Sequence, residues 1–212
     1  MKITKYPQST LLLQKGNLKI LIDPGSFFFE KYQIDDFLKI AAVLYTHQHP
    51  DHFDREKTKV FAKENVLLYG NFDVAKILGN QGLKINEVFD RKSFEIKDFK
   101  IEPIFLPHCK MIDGSDGPSN NGYLIDGLFF HPGDGIELES FRVEKAAIPI
   151  AGPTIDYKRA WQFVESLKCN LVLPVHYSNP RFLANPSGFV KQKPTESKVE
   201  VIVLESGQSA EI

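Results

Sequence analysis

A chain of 212 residues with 42% apolar and 25% charged residues has the composition of a globular protein, which excludes disorder, collagen-like repeats and coiled coil as its main character. Its 26 Lys and Arg against 27 Asp and Glu leave a net charge of −1, so no global electrostatic footprint favours nucleic acid or an anionic membrane. At about 150 residues per domain, one domain over residues 1–212 is expected, able to bury about 70% of its unfolded surface without a disulfide or a metal.

Thr10–Leu13 and Leu18–Asp23 are short β-type runs separated by the turn signal Lys15-Gly16-Asn17, and Asp23-Pro24-Gly25 stops the second. Ala41–Thr46 is an apolar run that suits a buried strand. A surface helix is predicted over Arg55–Asn65, a strand over Val66–Tyr69 and a short helix over Asn71–Leu78, ending near Gly79. Lys84–Phe89, Ser93–Lys97 and Phe99–Leu106 read as strands with tight connections. The Gly/Ser/Asp/Asn/Pro stretch Lys110–Asn121 is a loop long enough to suspect function. Gly122–Asp126 and Leu128–His131 form a hairpin turning at Asp126-Gly127. A strand at Ala146–Ile150, a helix near Tyr157–Leu167 and a strand at Leu171–Val175 follow. Asn179–Thr195, with its prolines, reads as an irregular surface loop, and Val199–Leu204 as a last strand. The pattern is a mixed α/β domain, with β-rich halves and helices outside.

Cys109 and Cys169 are too few for a disulfide framework or a four-thiolate zinc site, and two free thiols are expected. The N-terminus shows no signal-peptide pattern, and no apolar run nears the roughly 18 residues that span a bilayer. A soluble cytoplasmic protein without membrane insertion is therefore expected, with no indication of its oligomeric state.

Three of the six histidines fall in His47-Gln48-His49-Pro50-Asp51-His52. The segment follows a predicted strand, at the carboxyl end where open α/β sheets place ligands. In extended backbone His47 and His49 project to one side, and Pro50 keeps His49 out of a helix. Asp51 and His52 then point elsewhere. Two converging imidazoles make one metal half-site, and a carboxylate with a third imidazole makes another; such ligands suit zinc and tolerate manganese or iron. Each half-site needs ligands from elsewhere. His108, Asp134 and His176 all stand at predicted strand ends and are candidates, whereas His131, beside Pro132, reads as a supporting or core histidine. Phe27–Phe29 and Trp161 read as core packing, and Tyr177 and Arg181 as surface residues.

With these landmarks in order, the sequence resembles the metallo-β-lactamase-fold superfamily, and within it the compact metal-dependent hydrolases that include ascorbate-6-phosphate lactonase. Leu21-Ile22-Asp23-Pro24-Gly25 resembles the first motif, His47–His52 the signature motif, His131-Pro132-Gly133-Asp134 the strand-end motif and Pro174-Val175-His176-Tyr177 the last. The chain departs from the pattern at Cys109 and Gly135, where hydroxyl residues are common, and at Gln8, where related lactonases often carry histidine. The resemblance implies a four-layer αβ/βα sandwich holding two divalent metal ions. It implies His47, His49 and His108 on the first metal, Asp51, His52 and His176 on the second, and Asp134 bridging. The implied activity is hydrolysis of a small ester, lactone or phosphorylated metabolite by a metal-bridging hydroxide, with Asp51 both ligand and catalytic residue. A phosphodiesterase of the same superfamily and a non-catalytic metal-binding module are the alternatives. The implied partner is a small-molecule substrate, and no nucleic acid is expected, since a nuclease needs a basic groove.

Overall fold

Along the strands, apolar side chains alternate between two cores, which is the period of two that an extended backbone imposes. Leu11, Leu13, Ile20 and Ile22 enter one core while Leu12 and Leu21, between them, enter another. The computed structural model describes residues 1–139 and 141–212. Its first strands are β1 (Lys2–Lys5), β2 (Leu11–Lys15), β3 (Leu18–Ile22), β4 (Ala42–Tyr45), β5 (Leu67–Gly70), β6 (Asn86–Glu87) and β7 (Phe94–Ile96). There follow β8 (Phe99–Phe105), β9 (Asn121–Ile125), β10 (Phe129–His131), β11 (Lys145–Pro149), β12 (Leu171–Val175), β13 (Glu200–Val201) and β14 (Ser209–Glu211). The helices are α1 (Ser26–Phe29), α2 (Arg55–Lys63), α3 (Phe72–Gly79), α4 (Tyr157–Leu167) and α5 (Pro186–Lys191), with a single 3-10 turn at Ile34–Phe37.

The strands form two seven-stranded sheets, ordered β14-β1-β2-β3-β4-β5-β6 and β13-β12-β11-β10-β9-β8-β7. In each sheet the pairings are antiparallel on one side and parallel on the other: β3 to β6 run parallel, and so do β10 to β13. Ile20, Ala42 and Leu44 of the first sheet meet Ile101, Tyr123, Phe129 and Leu173 of the second in the central core. Val43, Tyr45 and Leu68 face outward onto Phe28, Phe61, Val74 and Leu78 of α1 to α3. Ala146, Ile148 and Val172 pack outward onto Trp161, Val164 and Phe189 of α4 and α5. The result is a four-layer αβ/βα sandwich. Asp54, Asn71, Asp156 and Asn185 cap the four longer helices by accepting backbone N–H groups, which sets where each helix starts.

Three expectations change. Asn179–Thr195 is not wholly irregular, because Asn185 caps α5 and Pro186, lacking an N–H, sits where a helix needs none. Val199–Leu204 pairs only at Glu200–Val201. The strands β1 and β14, unrecognised in the sequence, pair with each other across the whole chain at the sheet edge. Cys109 and Cys169 are buried free thiols, Phe28 and Trp161 lie in the outer cores, and no described helix is long and apolar enough to cross a membrane.

The parallel strands β3 and β4 end on the same edge, and the loops leaving them touch. Gly25 lies so close to the Asp51–His52 peptide that a Cβ there would stand 2.0 Å from the Asp51 carbonyl carbon. Backbone is on the other side, so neither partner yields cheaply. Gly25→Ala is expected to lower stability by about 2–3 kcal/mol. Gly79→Ala, where a Cβ meets nothing within 4 Å, should change it little. Urea denaturation of the two variants checks the contrast.

Candidate metal centre

β3 delivers Asp23 into the left-handed region at φ +50°, and its carboxylate is fully buried. Oδ1 accepts the Thr46 N–H at 2.8 Å, and Oδ2 accepts the Thr46 hydroxyl at 2.7 Å and His52 Nδ1 at 2.8 Å. Thr46 has given its only hydroxyl proton away, so its oxygen accepts from His47 Nδ1 at 3.0 Å. His108 Nδ1 donates to the Cys109 carbonyl and His176 Nδ1 to the Ala151 carbonyl, both at 2.6 Å. A carbonyl can only accept. In His47, His52, His108 and His176 the Nδ1 proton is therefore fixed outward and Nε2 is turned to the centre, the arrangement that orients imidazoles toward a metal. His49 instead offers Nδ1, which lies 3.2 Å from His47 Nε2.

These side chains gather into two groups. One ligand atom from each of His47, His49, His108 and Asp134 lies within 4.8 Å of the others, and so does one from each of Asp51, His52 and His176. Asp134, at the end of β10, reaches both. Its Oδ2 is 3.9 Å from His47 Nε2, 3.5 Å from His108 Nε2 and 3.0 Å from His176 Nε2, and its Oδ1 is 3.2 Å from His52 Nε2. Asp51 Oδ2 is 3.3 Å from His176 Nε2 and 3.9 Å from His52 Nε2. All seven residues singled out in the sequence are thus brought together, four from the loop after β4 and three, His108, Asp134 and His176, from distant stretches of chain joined only by the fold.

Burial makes this cluster costly without a positive charge at its middle. Among the described residues, His52 Nε2, His108 Nε2 and Asp134 Oδ1 are buried side-chain atoms without a hydrogen-bond partner. Each such atom costs about 1–3 kcal/mol when left unpaired. Nitrogen and carboxylate donors converging on one space fit divalent zinc, manganese or iron.

The electrostatics agree. Burial drives His47 well below the ordinary imidazole range, helped by the His52 charge. Burial opposes charge on Asp134, but His176 and His52 outweigh it and hold that carboxyl well below the carboxylate range. Asp51 is likewise held low against burial by His52 and His176. His52 is raised well above its usual value, since Asp134, Asp23 and Asp51 overcome its desolvation. Against the same desolvation, Asp134 and Cys109 push His108 up to about 10, and Asp134 and Asp51 push His176 up to about 9.

His131 stands apart from both groups. Its Nε2 donates to the Ser9 carbonyl at 2.8 Å and its Nδ1 accepts the Gly133 N–H at 3.2 Å, so both ring nitrogens are used. It ties the turn before Asp134 to the β1–β2 loop. Gly133 takes φ +62°, and a Cβ there would lie 2.3 Å from Asn120 Oδ1. Two supporting residues were given no role by the sequence, although Gln8 stood out there as a departure from the family pattern. Asn120 clamps the Asp134 turn, donating to the Leu106 and Pro132 carbonyls and accepting the Asp134 N–H. Its only signal was its place in the loop Lys110–Asn121. Gln8 is fully buried, and its Nε2 lies 2.9 Å from Asp51 Oδ2 and 3.1 Å from His176 Nε2. Tyr177 gives its hydroxyl to the Leu204 carbonyl, and Arg181 is exposed.

A metal-dependent hydrolase of Pyrococcus furiosus is 29% identical over 230 residues, covering the whole of both chains. One from Christiangramia forsetii is 23% identical over 228 residues, again over both full lengths. Among solved structures, a metallo hydrolase from Ignicoccus hospitalis superposes with a TM-score of 0.78 at 22% identity, covering 99% of this chain and 97% of that one. An isothiocyanate hydrolase from Delia radicum gut bacteria does so with a TM-score of 0.77 at 17% identity, covering 100% and 99%. These likenesses establish the shared fold. The family model for the β-lactamase superfamily domain matches residues 2–176, from β1 to His176 itself, and the chain belongs to that family.

Proposed function

We propose that the protein is a metal-dependent hydrolase whose two side-chain groups hold a pair of divalent cations, acting on a small ester, lactone or phosphorylated metabolite. The observation that carries this reading is the placement of Asp134 within reach of both groups, amid buried nitrogen and oxygen atoms that lack partners. His47 Nε2, His49 Nδ1 and His108 Nε2 hold the first cation, and Asp51, His52 Nε2 and His176 Nε2 the second. Asp134 bridges them. Zinc leads, and manganese or iron fits the same donors. Bound divalent cations supply Lewis acidity and bring the pKa of water toward neutrality.

The chain's own residues do the rest. Asp23 and the Ala151 and Cys109 carbonyls hold the imidazoles in register, so the ligands need no reorganisation. Asp51 is half-buried and stays ionised, which suits a ligand that also orients the attacking water from the open side. A net charge of −1 supports a small substrate over a polyanion. The full-length relatives named as metal-dependent hydrolases support the reaction class.

Asp134→Asn keeps the size of the side chain and removes the charge that offsets two adjacent dications. Elemental analysis after zinc reconstitution is expected to show about two cations per chain in the natural protein and about one in the variant, with activity falling together. Unchanged cation content with only lower stability would mean that Asp134 merely forms a turn.

His131 supports a ligand turn without facing the cations. His131→Asn should weaken cation binding about 10–100-fold, the usual loss for an outer partner of a metal site. His176→Asn should abolish the second cation. Equal losses in calorimetric titration would make His131 a ligand.

His52, His108 and His176 must release Nε2 protons before a cation takes their place, and all three hold protons above the ordinary imidazole range. Apparent cation affinity is therefore expected to rise from pH 6 to pH 8. Calorimetry in buffers of different ionisation enthalpy should register proton release. A pH-independent affinity with no proton release would contradict this exchange.

A further inference from the structure

Among the described residues, Gln8 is the one buried amide whose donor end enters the centre. The residue takes the left-handed conformation at φ +60°, which side chains other than glycine adopt sparingly. Four contacts hold it there. Its N–H donates to Ser178 Oγ at 2.9 Å, its carbonyl accepts the His176 N–H at 3.0 Å, and its side-chain Oε1 accepts the Ser178 N–H at 2.9 Å. A backbone N–H can only donate, so Oε1 is the atom facing Ser178 and Nε2 is the atom facing the centre. The fourth contact is Nε2 to Asp51 Oδ2 at 2.9 Å, which uses one of the two amide hydrogens.

The same amide nitrogen lies 3.1 Å from His176 Nε2. That imidazole nitrogen has one lone pair. With His176 Nδ1 donating to the Ala151 carbonyl, the lone pair is the site's ligand. Whether that nitrogen holds a proton or a cation, it has no lone pair left for the second amide hydrogen, while the amide itself stays locked by Ser178 and Asp51. A buried donor in that position costs free energy until an oxygen meets it.

We propose that Gln8 is a substrate-binding residue: its free amide hydrogen donates to a carbonyl or phosphoryl oxygen, or an oxyanion, seated beside Asp51 and His176. This rests on the reading of Asp51, His52 and His176 as cation ligands. The backbone-locked amide makes the donor preorganised, the condition under which such a bond favours developing negative charge.

Inorganic phosphate is the probe, titrated by calorimetry into zinc-loaded protein freed of excess zinc. Zinc content is measured on the same samples. Gln8→Met keeps the length and unbranched shape and removes the donor. Gln8→Glu keeps an acceptor for the Ser178 N–H and also removes the donor, so it serves if the Met variant does not fold. The expected result is two zinc ions in each variant and phosphate affinity reduced about tenfold or more, the worth of a hydrogen bond to a charged group. Phosphate affinity within twofold of the natural protein, in variants that hold two zinc ions, would overturn the proposal. So would loss of the second zinc in the variants, which would make Gln8 a support for the ligands alone, or a loaded natural protein that takes up no phosphate. A natural protein that retains no zinc would overturn the cation reading itself, a separate and visible outcome.

Discussion

Asp23 has both carboxylate oxygens committed and no exposure to water. A buried carboxylate is tolerable only when its hydrogen bonds are satisfied, and here the donors are the Thr46 amide, the Thr46 hydroxyl and His52. That requirement fixes much of the centre. The Thr46 amide sets the path of the chain leaving β4. The Thr46 hydroxyl, its proton spent on Asp23, sets the tautomer of His47. His52 Nδ1 binds directly, which turns His52 Nε2 to the opposite group. One residue that does not face the centre therefore orients an imidazole in each half of it. The Thr10 hydroxyl, bonded to the Asp23 carbonyl, ties the same turn to the start of β2.

The second constraint is architectural. Asp23 and His47 to His52 leave the carboxyl ends of β3 and β4 in the first sheet, while Asp134 and His176 leave β10 and β12 in the second. His108 follows β8, also in the second sheet. Neither sheet carries all seven of these side chains. The centre exists only because the two sheets pack across the core of Ile20, Leu44, Tyr123 and Leu173, and the hydroxyl of Tyr123 crosses that core to the Tyr45 carbonyl, one residue before Thr46. Hydrophobic burial, which is non-directional, brings the sheets together. Directional bonds at their edges then set the distances.

What could be read in the sequence was what repeats locally. The alternation of Leu11 to Leu13 and Ile20 to Ile22 gave strands, and His47 to His52 announced themselves because two chemical groups on one short segment share a purpose. His108, Asp134 and His176 were legible only as polar residues at strand ends. Asn120 and Gln8 were not legible in role, since their partners lie at sequence separations that no local pattern encodes: Gln8 meets Ser178 across the chain. The edge pair β1 and β14 was hidden for the same reason. The helix α5 was hidden differently. The prolines of Asn179–Thr195 pointed to an irregular loop, whereas the first turn of a helix tolerates proline, and Asn185 before Pro186 is a cap.

The same six-residue segment also decides from which side the centre is reached. His47 and His52 are fully buried, whereas His49 and Asp51 are half-buried. The two ends of the segment are thus enclosed and its middle is partly open. Asp51, which the neighbouring imidazoles keep ionised, is the half-buried carboxylate that Gln8 bonds. An anionic or carbonyl oxygen would be repelled by Asp51 alone. A neutral amide that satisfies one Asp51 oxygen, and keeps a second hydrogen for the incoming atom, offsets that repulsion without adding another charge to a buried site. Burial therefore favours an amide at this position, where a lysine would have to carry a full charge into the same desolvated space.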